Sequence, residues 1–170
     1  MTMRTRRFNL YLLALVATLI APGCQSSHKK EATTLRFHLE VNPDGSDRSK
    51  PVPIYRASPV YVNVETKPFL HEDNIVQAAV IDDSFGGFQL KVQLDRKGTW
   101  LLEQYTTASK GKRVAISGEF GQARWLGAPI LTKRIADGVF AFTPDATREE
   151  TERIVRGLNE VAKKLQKDNP

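Results

Sequence analysis

The sequence predicts an α+β fold: a mostly antiparallel sheet packed with two main helices, about residues 95–109 and 147–166. Three observations carry this. Apolar and polar residues alternate strictly over 35–42, 60–64 and 88–94, the period of strands with one buried face. Short turns bearing Gly, Pro and Asn separate several of these runs, and short connections suit antiparallel neighbours. Two further stretches repeat apolar residues at helical spacing behind capping residues. A chain of 170 residues, 41% apolar and 26% charged, has the composition of an ordinary folded domain. Its one cysteine excludes an intramolecular disulfide framework, a CxxC redox pair and a thiolate zinc cluster.

Residues 1–23 read as an export signal and not as part of the fold. Arg4, Arg6 and Arg7 give a basic start, and Leu10 to Ala21 is an unbroken apolar run. That run is shorter than the ~20 residues of a bilayer span and fits a secretory signal core. Ala21-Pro22-Gly23-Cys24 follows, then polar Gln25-Ser26-Ser27. This tetrad resembles the lipobox of bacterial lipoproteins, which implies acylation at Cys24. Two or three acyl chains, at ~0.8 kcal/mol per buried methylene, would hold a protein stably on a membrane. The resemblance further implies an exported, lipid-anchored protein facing the periplasm. Gln25 after the cysteine favours the outer membrane over the inner one. Loss of residues 1–23 leaves 147 residues and lowers the formal net charge from +6 to +3, so no nucleic-acid footprint is expected. Residues 24–33 form a polar tether spanning ~15–18 Å as coil, and 34–167 is the folded domain.

Within that domain, Leu35, Phe37, Leu39 and Val41 form the apolar face of a first strand. Asn42-Pro43-Asp44-Gly45 supplies a turn. Residues 45–58, polar and proline-containing, read as a loop. Val60, Val62 and Val64 line one face of the next strand, 59–65. A short helical turn is expected at Leu70–Asn74. Residues 77–83 and 87–94 pair as a hairpin around Ser84-Phe85-Gly86-Gly87. Asp95 caps a helix whose apolar side carries Leu101, Leu102, Tyr105 and Ala108, and Gly111 ends it. Lys112 to Ser117 is a strand with Val114 and Ile116 on one face. The chain then turns through Gly118–Gly121 toward Arg124-Trp125-Leu126. Ile130 and Leu131 are expected to be buried, and Gly138–Thr143 is a further strand. Thr147 and Glu150 make a capping box for the last helix. Ile154, Val155, Leu158, Val161, Ala162 and Leu165 form its stripe. Glu149 with Arg153, Glu152 with Arg156 and Glu160 with Lys164 stand at i,i+4.

This order of elements resembles the head subdomain of the first periplasmic domain of SecD, an export accessory subunit, over about Thr66 to Leu165. The features that carry it are Leu70–Asn74, the hairpin ending at Leu94-Asp95, and Gly98 with Leu102 and Tyr105. Gly111-Lys112-Arg113-Val114-Ala115-Ile116, Gly127-Ala128-Pro129-Ile130-Leu131 and the Thr147–Glu150 cap complete it. Residues 33–65 resemble the strand pair that precedes the head. The chain departs from that pattern at 117–127, about three residues longer and carrying Trp125. It also has Thr132 and Arg134 where Arg and Pro are usual. The resemblance implies a fold and a polypeptide-facing habit, without the membrane-embedded export motor.

Catalytic motifs are absent from the sequence. His28, His38 and His71 stand in no metal-ligand spacing and are expected to be solvated. Adjacent Asp82 and Asp83 point to opposite sides of a strand and read as hairpin residues. No cofactor, small-molecule or metal, is expected, and the chain is read as a non-enzyme. Lys110, Lys112, Arg113, Lys133 and Arg134 form basic clusters able to meet anionic head groups or remain a solvated rim. Phe120, Arg124, Trp125 and Leu126, with Lys112 and Arg113, are the candidate binding residues. If exposed they form a contact patch of the kind enriched in binding hot spots; if buried they are core. The expected partner is a polypeptide or an envelope protein, besides the membrane reached through Cys24. The alternative is a structural accessory lipoprotein without affinity for unfolded chains.

Overall fold

A computed structural model describes residues 33–168; the signal, Cys24, His28 and most of the tether lie outside the described residues. The chain runs through β1 (Thr34–Leu39), β2 (Ser49–Ile54), β3 (Val60–Glu65), a 3-10 turn (Glu72–Asn74), β4 (Ile75–Asp82) and β5 (Phe88–Leu94). It continues through α1 (Arg96–Ala108), β6 (Val114–Glu119), β7 (Ala123–Gly127), β8 (Val139–Phe142) and α2 (Arg148–Asp168). Every strand pairing is antiparallel. One three-stranded sheet has the order β1-β6-β7, another β4-β5-β8, and β2-β3 is a separate ribbon.

The α+β reading holds, and so do its two helices. Alternation explains the strands: Leu35, Phe37 and Leu39 of β1 and Leu90, Val92 and Leu94 of β5 are buried in one core. Phe140 and Phe142 of β8 join them, and Phe140 meets Phe37 edge to face at 5.5 Å. Leu102 of α1 and Ile154 and Leu158 of α2 close this core, each contributing about 1.5–3 kcal/mol by its burial. On the opposite face of the β1-β6-β7 sheet lies a second cluster. There Val52, Ile54, Val62 and Val64 of the ribbon cover Ala115 and Ala128, with Trp125 packed at the side. β6 is therefore buried on both faces, Val114 and Ile116 toward one core and Ala115 toward the other.

Two helix starts form as their sequences dictate. The Asp95 side chain accepts from the Gly98 amide. The Glu150 amide donates to Thr147 Oγ1 at 3.1 Å while Glu150 Oε2 accepts from the Thr147 amide at 2.9 Å, a complete capping box. Gly98 has a packing reason as well: a Cβ there would stand 2.9 Å from Asn74 Cβ and 3.2 Å from Leu94 Cβ.

Several expectations are corrected. Residues 49–54, read as loop, are strand β2. Pro51 and Pro53 are two apart, so both missing N–H groups fall on one edge, and a strand bonded only to β3 keeps its ladder. Ile130 is 49% exposed while Leu131 is buried, because adjacent residues of an extended segment face opposite ways. Ala108 is exposed, and Thr106 and Ser109 take the buried side of α1. Gly111 has φ +88° but stands two residues beyond the C-cap Ser109, one later than expected. The three i,i+4 pairs of α2 are not among the ion pairs within 4 Å; Glu150 pairs with Arg124 and Arg56 instead.

Candidate functional site

The β6–β7 hairpin does not form an exposed patch. Phe120, in the turn, is 2% exposed beneath Arg124 and Arg153, and Leu126 is fully buried in a sheet covered on both faces. Trp125 is half-buried against Ala115 and Ala128, with its ring 5.1 Å from the His38 ring. Arg124 turns inward. Its Nη2 donates to Glu150 Oε2 at 3.0 Å, and its guanidinium lies over the Phe120 ring at 4.8 Å. Nε and Nη1 of Arg124 are buried without a hydrogen-bond partner among the described residues. Arg113 donates Nη1–H to the Ala128 carbonyl at 3.3 Å, and its amide donates to Glu40 Oε2 at 2.7 Å. Of the six candidate residues, Lys112 alone is exposed. The structure thus joins Phe120, Arg124 and Glu150 into a clamp between the hairpin and the first turn of α2. Arg56 reaches the same carboxylate at 3.7 Å and Asp145 at 3.3 Å. The Glu150 carboxyl is held below its ordinary range, first by the Arg124 hydrogen bond and then by the Thr147 amide.

The histidines divide. His71 is exposed, as expected. His38 is not solvated: it is 6% exposed because the ribbon covers the face of β1 on which it stands. Its Nδ1 lies 2.8 Å from the Glu65 carbonyl, which can only accept, so Nδ1 carries the proton. Burial lowers its affinity for a second proton, opposed by this hydrogen bond. Asp83 serves the β4–β5 turn by accepting from the Phe85 and Gly87 amides, each at 2.8 Å. Asp82 pairs with Arg148. Among the described residues no three His, Cys, Asp or Glu side chains converge on a metal-sized site, and no helix is long and apolar enough to cross a membrane.

The larger open grooves given by the described residues lie elsewhere. One, of about 730 Å³, runs along α1 past Trp100, Tyr105 and Ala108 to the Glu103–Arg134 pair. The other, of about 620 Å³, lies between the 129–136 segment and β8. The sequence pointed to neither, and the second is the less apparent. Its signal was two apolar residues, Ile130 and Ile135, in the segment that leads to a strand of four residues.

No protein-family model matches the chain, and no curated protein does. Solved structures do. One is of SecDF, described as a membrane component that enhances protein export; it matches with a TM-score of 0.55 at 16% identity, over 94% of this chain and 70% of that one. A second, SecDF in the super-membrane-facing form, matches with a TM-score of 0.56 at 18% identity, over 76% of this chain and 19% of that one. The antiparallel sheets, the two helices and this likeness together give the chain a SecD-like fold.

Proposed function

We propose that the chain is a non-enzymatic, lipid-anchored envelope protein that binds polypeptide or a protein partner in connection with protein export. The observation that carries this reading is the likeness to SecDF over nearly the whole chain, in a structure described as enhancing protein export. The lipobox-like Ala21-Pro22-Gly23-Cys24 adds the anchor. Catalysis needs acid, base or nucleophile brought to one place, and the reading assigns no such role to the described residues. Described residues put their charges into structural pairs instead, Arg124 with Glu150 and Arg148 with Asp82.

The anchor is tested by detergent partitioning. The native chain should enter the detergent phase and Cys24→Ala should stay in the aqueous phase. An intact mass without acyl chains would end the lipoprotein reading. The binding role is tested by crosslinking in intact cells, followed by pull-down of the full chain. Enrichment of exported polypeptides or one defined envelope partner supports it. Recovery of abundant neighbours alone would favour an accessory protein without affinity for unfolded chains.

A further inference from the structure

A β-strand whose outer edge is unpaired is a template for another chain, and this fold bonds most of its edges at one point or more. The outer edge of β1 is bonded by the 69–70 segment, with the Phe37 amide donating to the Leu70 carbonyl at 3.0 Å and the Phe69 amide to the Phe37 carbonyl at 2.9 Å. The outer side of β3 bonds Val41, whose amide donates to the Asn63 carbonyl. β7 accepts from the Asp145 amide at Leu126. Pro51 and Pro53 remove donors from β2. On β4 the Asn159 side chain does the same work: the Ala78 amide donates to Asn159 Oδ1 at 2.8 Å, and Asn159 Nδ2–H donates to the Ala78 carbonyl at 3.0 Å.

Among the described residues, no other segment bonds the outer edge of β8. Leu94 donates to the Gly138 carbonyl, and Val92 and Leu90 stand opposite Phe140 and Phe142. In an antiparallel ladder, inward and outward bonding alternates, so residues 139, 141 and 143 turn their backbone groups away from β5. The Val139 amide is satisfied by Asp137 Oδ1 at 3.0 Å. The Val139 carbonyl, both Ala141 groups and the Thr143 amide meet no partner among the described residues, and Ala141 and Thr143 are exposed. The second groove runs here. It is lined by three consecutive residues, Val139, Phe140 and Ala141. Successive side chains point to opposite faces, so a groove touching all three runs along the strand's edge. Ile130 and Ile135 stand across it.

We propose that an extended polypeptide segment adds as a strand to the outer edge of β8, laying alternate side chains into this groove. The proposal rests on the polypeptide-binding reading above and gives that binding a place. Alternating amides and carbonyls are the complement of a peptide backbone. Charge narrows the segment. Lys133 is exposed on the rim, and Lys91 sits beside Ala141 in the ladder. Asp137 is already engaged by an amide and Arg134 by Glu103. The favoured segment is therefore apolar at alternate positions, acidic at its flanks and free of proline.

The test uses the full chain in mild detergent and a fluorescent peptide of about ten residues, alternating Val and Thr with Glu at each end, read by anisotropy. Two versions carry N-methyl groups on one or the other alternating set of amides. An added strand bonds its neighbour through one set alone, so one version should bind about tenfold or more weakly and the other almost unchanged. Ala141→Pro removes an outward N–H and leaves the ladder to β5, and should weaken binding by a similar factor. Should that variant fail to fold, Ile130→Glu, on an exposed wall, should weaken it several-fold and retain the native melt. Equal binding of both methylated peptides would overturn edge addition and leave polypeptide binding standing. No binding of any peptide would overturn both.

Discussion

Gly98 shows two residue-scale effects in competition. It sits inside the first turn of a helix, where alanine would gain ~1 kcal/mol in propensity. Yet a Cβ would stand closer to Asn74 than real Cβ atoms come without movement, and tightly against Leu94, and overpacking costs ~1–3 kcal/mol. Gly98→Ala should therefore destabilise the protein by about 1–2 kcal/mol in denaturant unfolding, despite the better helix former. His38 gives a pH dependence of definite sign. Its folded-state proton affinity is lowered from an ordinary pKa of 6.5, chiefly by burial. The unfolded chain then binds a proton more readily than the folded one, so stability rises with pH across that window. The contribution is full above about 6.5 and is lost as the pH falls through the lower folded value. Thermal melts between about pH 7 and 5 should show this slope, and His38→Gln should flatten it. A slope unchanged in the variant would assign it to the carboxylates. The sequence could not show this burial. His38 stands among the polar residues of an alternating strand, and alternation does not say whether the polar face will itself be covered.

Among the elements, those with local causes were legible. The two caps and the β4–β5 turn are written within a few residues of where they act, and each forms as read. β2 was hidden because its prolines speak against a strand until one knows that a single edge is bonded. The candidate hairpin was hidden for a related reason. A Trp, a Phe and an Arg within six residues describe a binding patch and a packed junction equally well, and the junction with α2 is decided by Glu150, some 26 residues on. The Asn159–Ala78 pairing spans 81 residues and left no local mark. It is nonetheless strong. Asn159→Ala would strand one amide and one carbonyl at the β4 edge, where each loss is worth ~1 kcal/mol or more. A destabilisation of about 2 kcal/mol is expected, with Asn159→Asp intermediate because it keeps the acceptor. A value near zero for Asn159→Ala would mean that water serves the edge equally well.

Across the whole molecule, the two hydrophobic clusters are separated by one sheet. The ribbon's cluster is made of small aliphatic residues, and the ribbon bonds the rest of the fold mainly at three places: Val41 with Asn63, His38 with Glu65 and Arg56 with Asp145. Such a layer is a natural unit of local opening. Val62→Ala, costing ~1–2 kcal/mol, should speed amide exchange through β2 and β3 while β5 and β6 keep their protection. Uniform loss of protection would make the ribbon part of one cooperative core. The SecD-like architecture itself was readable from the order of strands, caps and turns, because that order is linear information. The stacking of the ribbon on the second face was not, because it depends on which polar-looking residues the chain folds back to cover.

Thr33 lies against Gly157 of α2, just ahead of β1, and this has a mechanical consequence. A Cβ at Gly157 would overlap the Thr33 side chain, so the chain reaches β1 through a gap that glycine leaves open. Beyond it, β1 is zipped to β6 from Thr34 opposite Glu119 to Leu39 opposite Val114. A pull on the chain ahead of Thr33 acts along the strand's own axis. It loads these rungs together, in shear, and does not peel them one at a time. A domain held against a membrane from that end would yield last where it is attached.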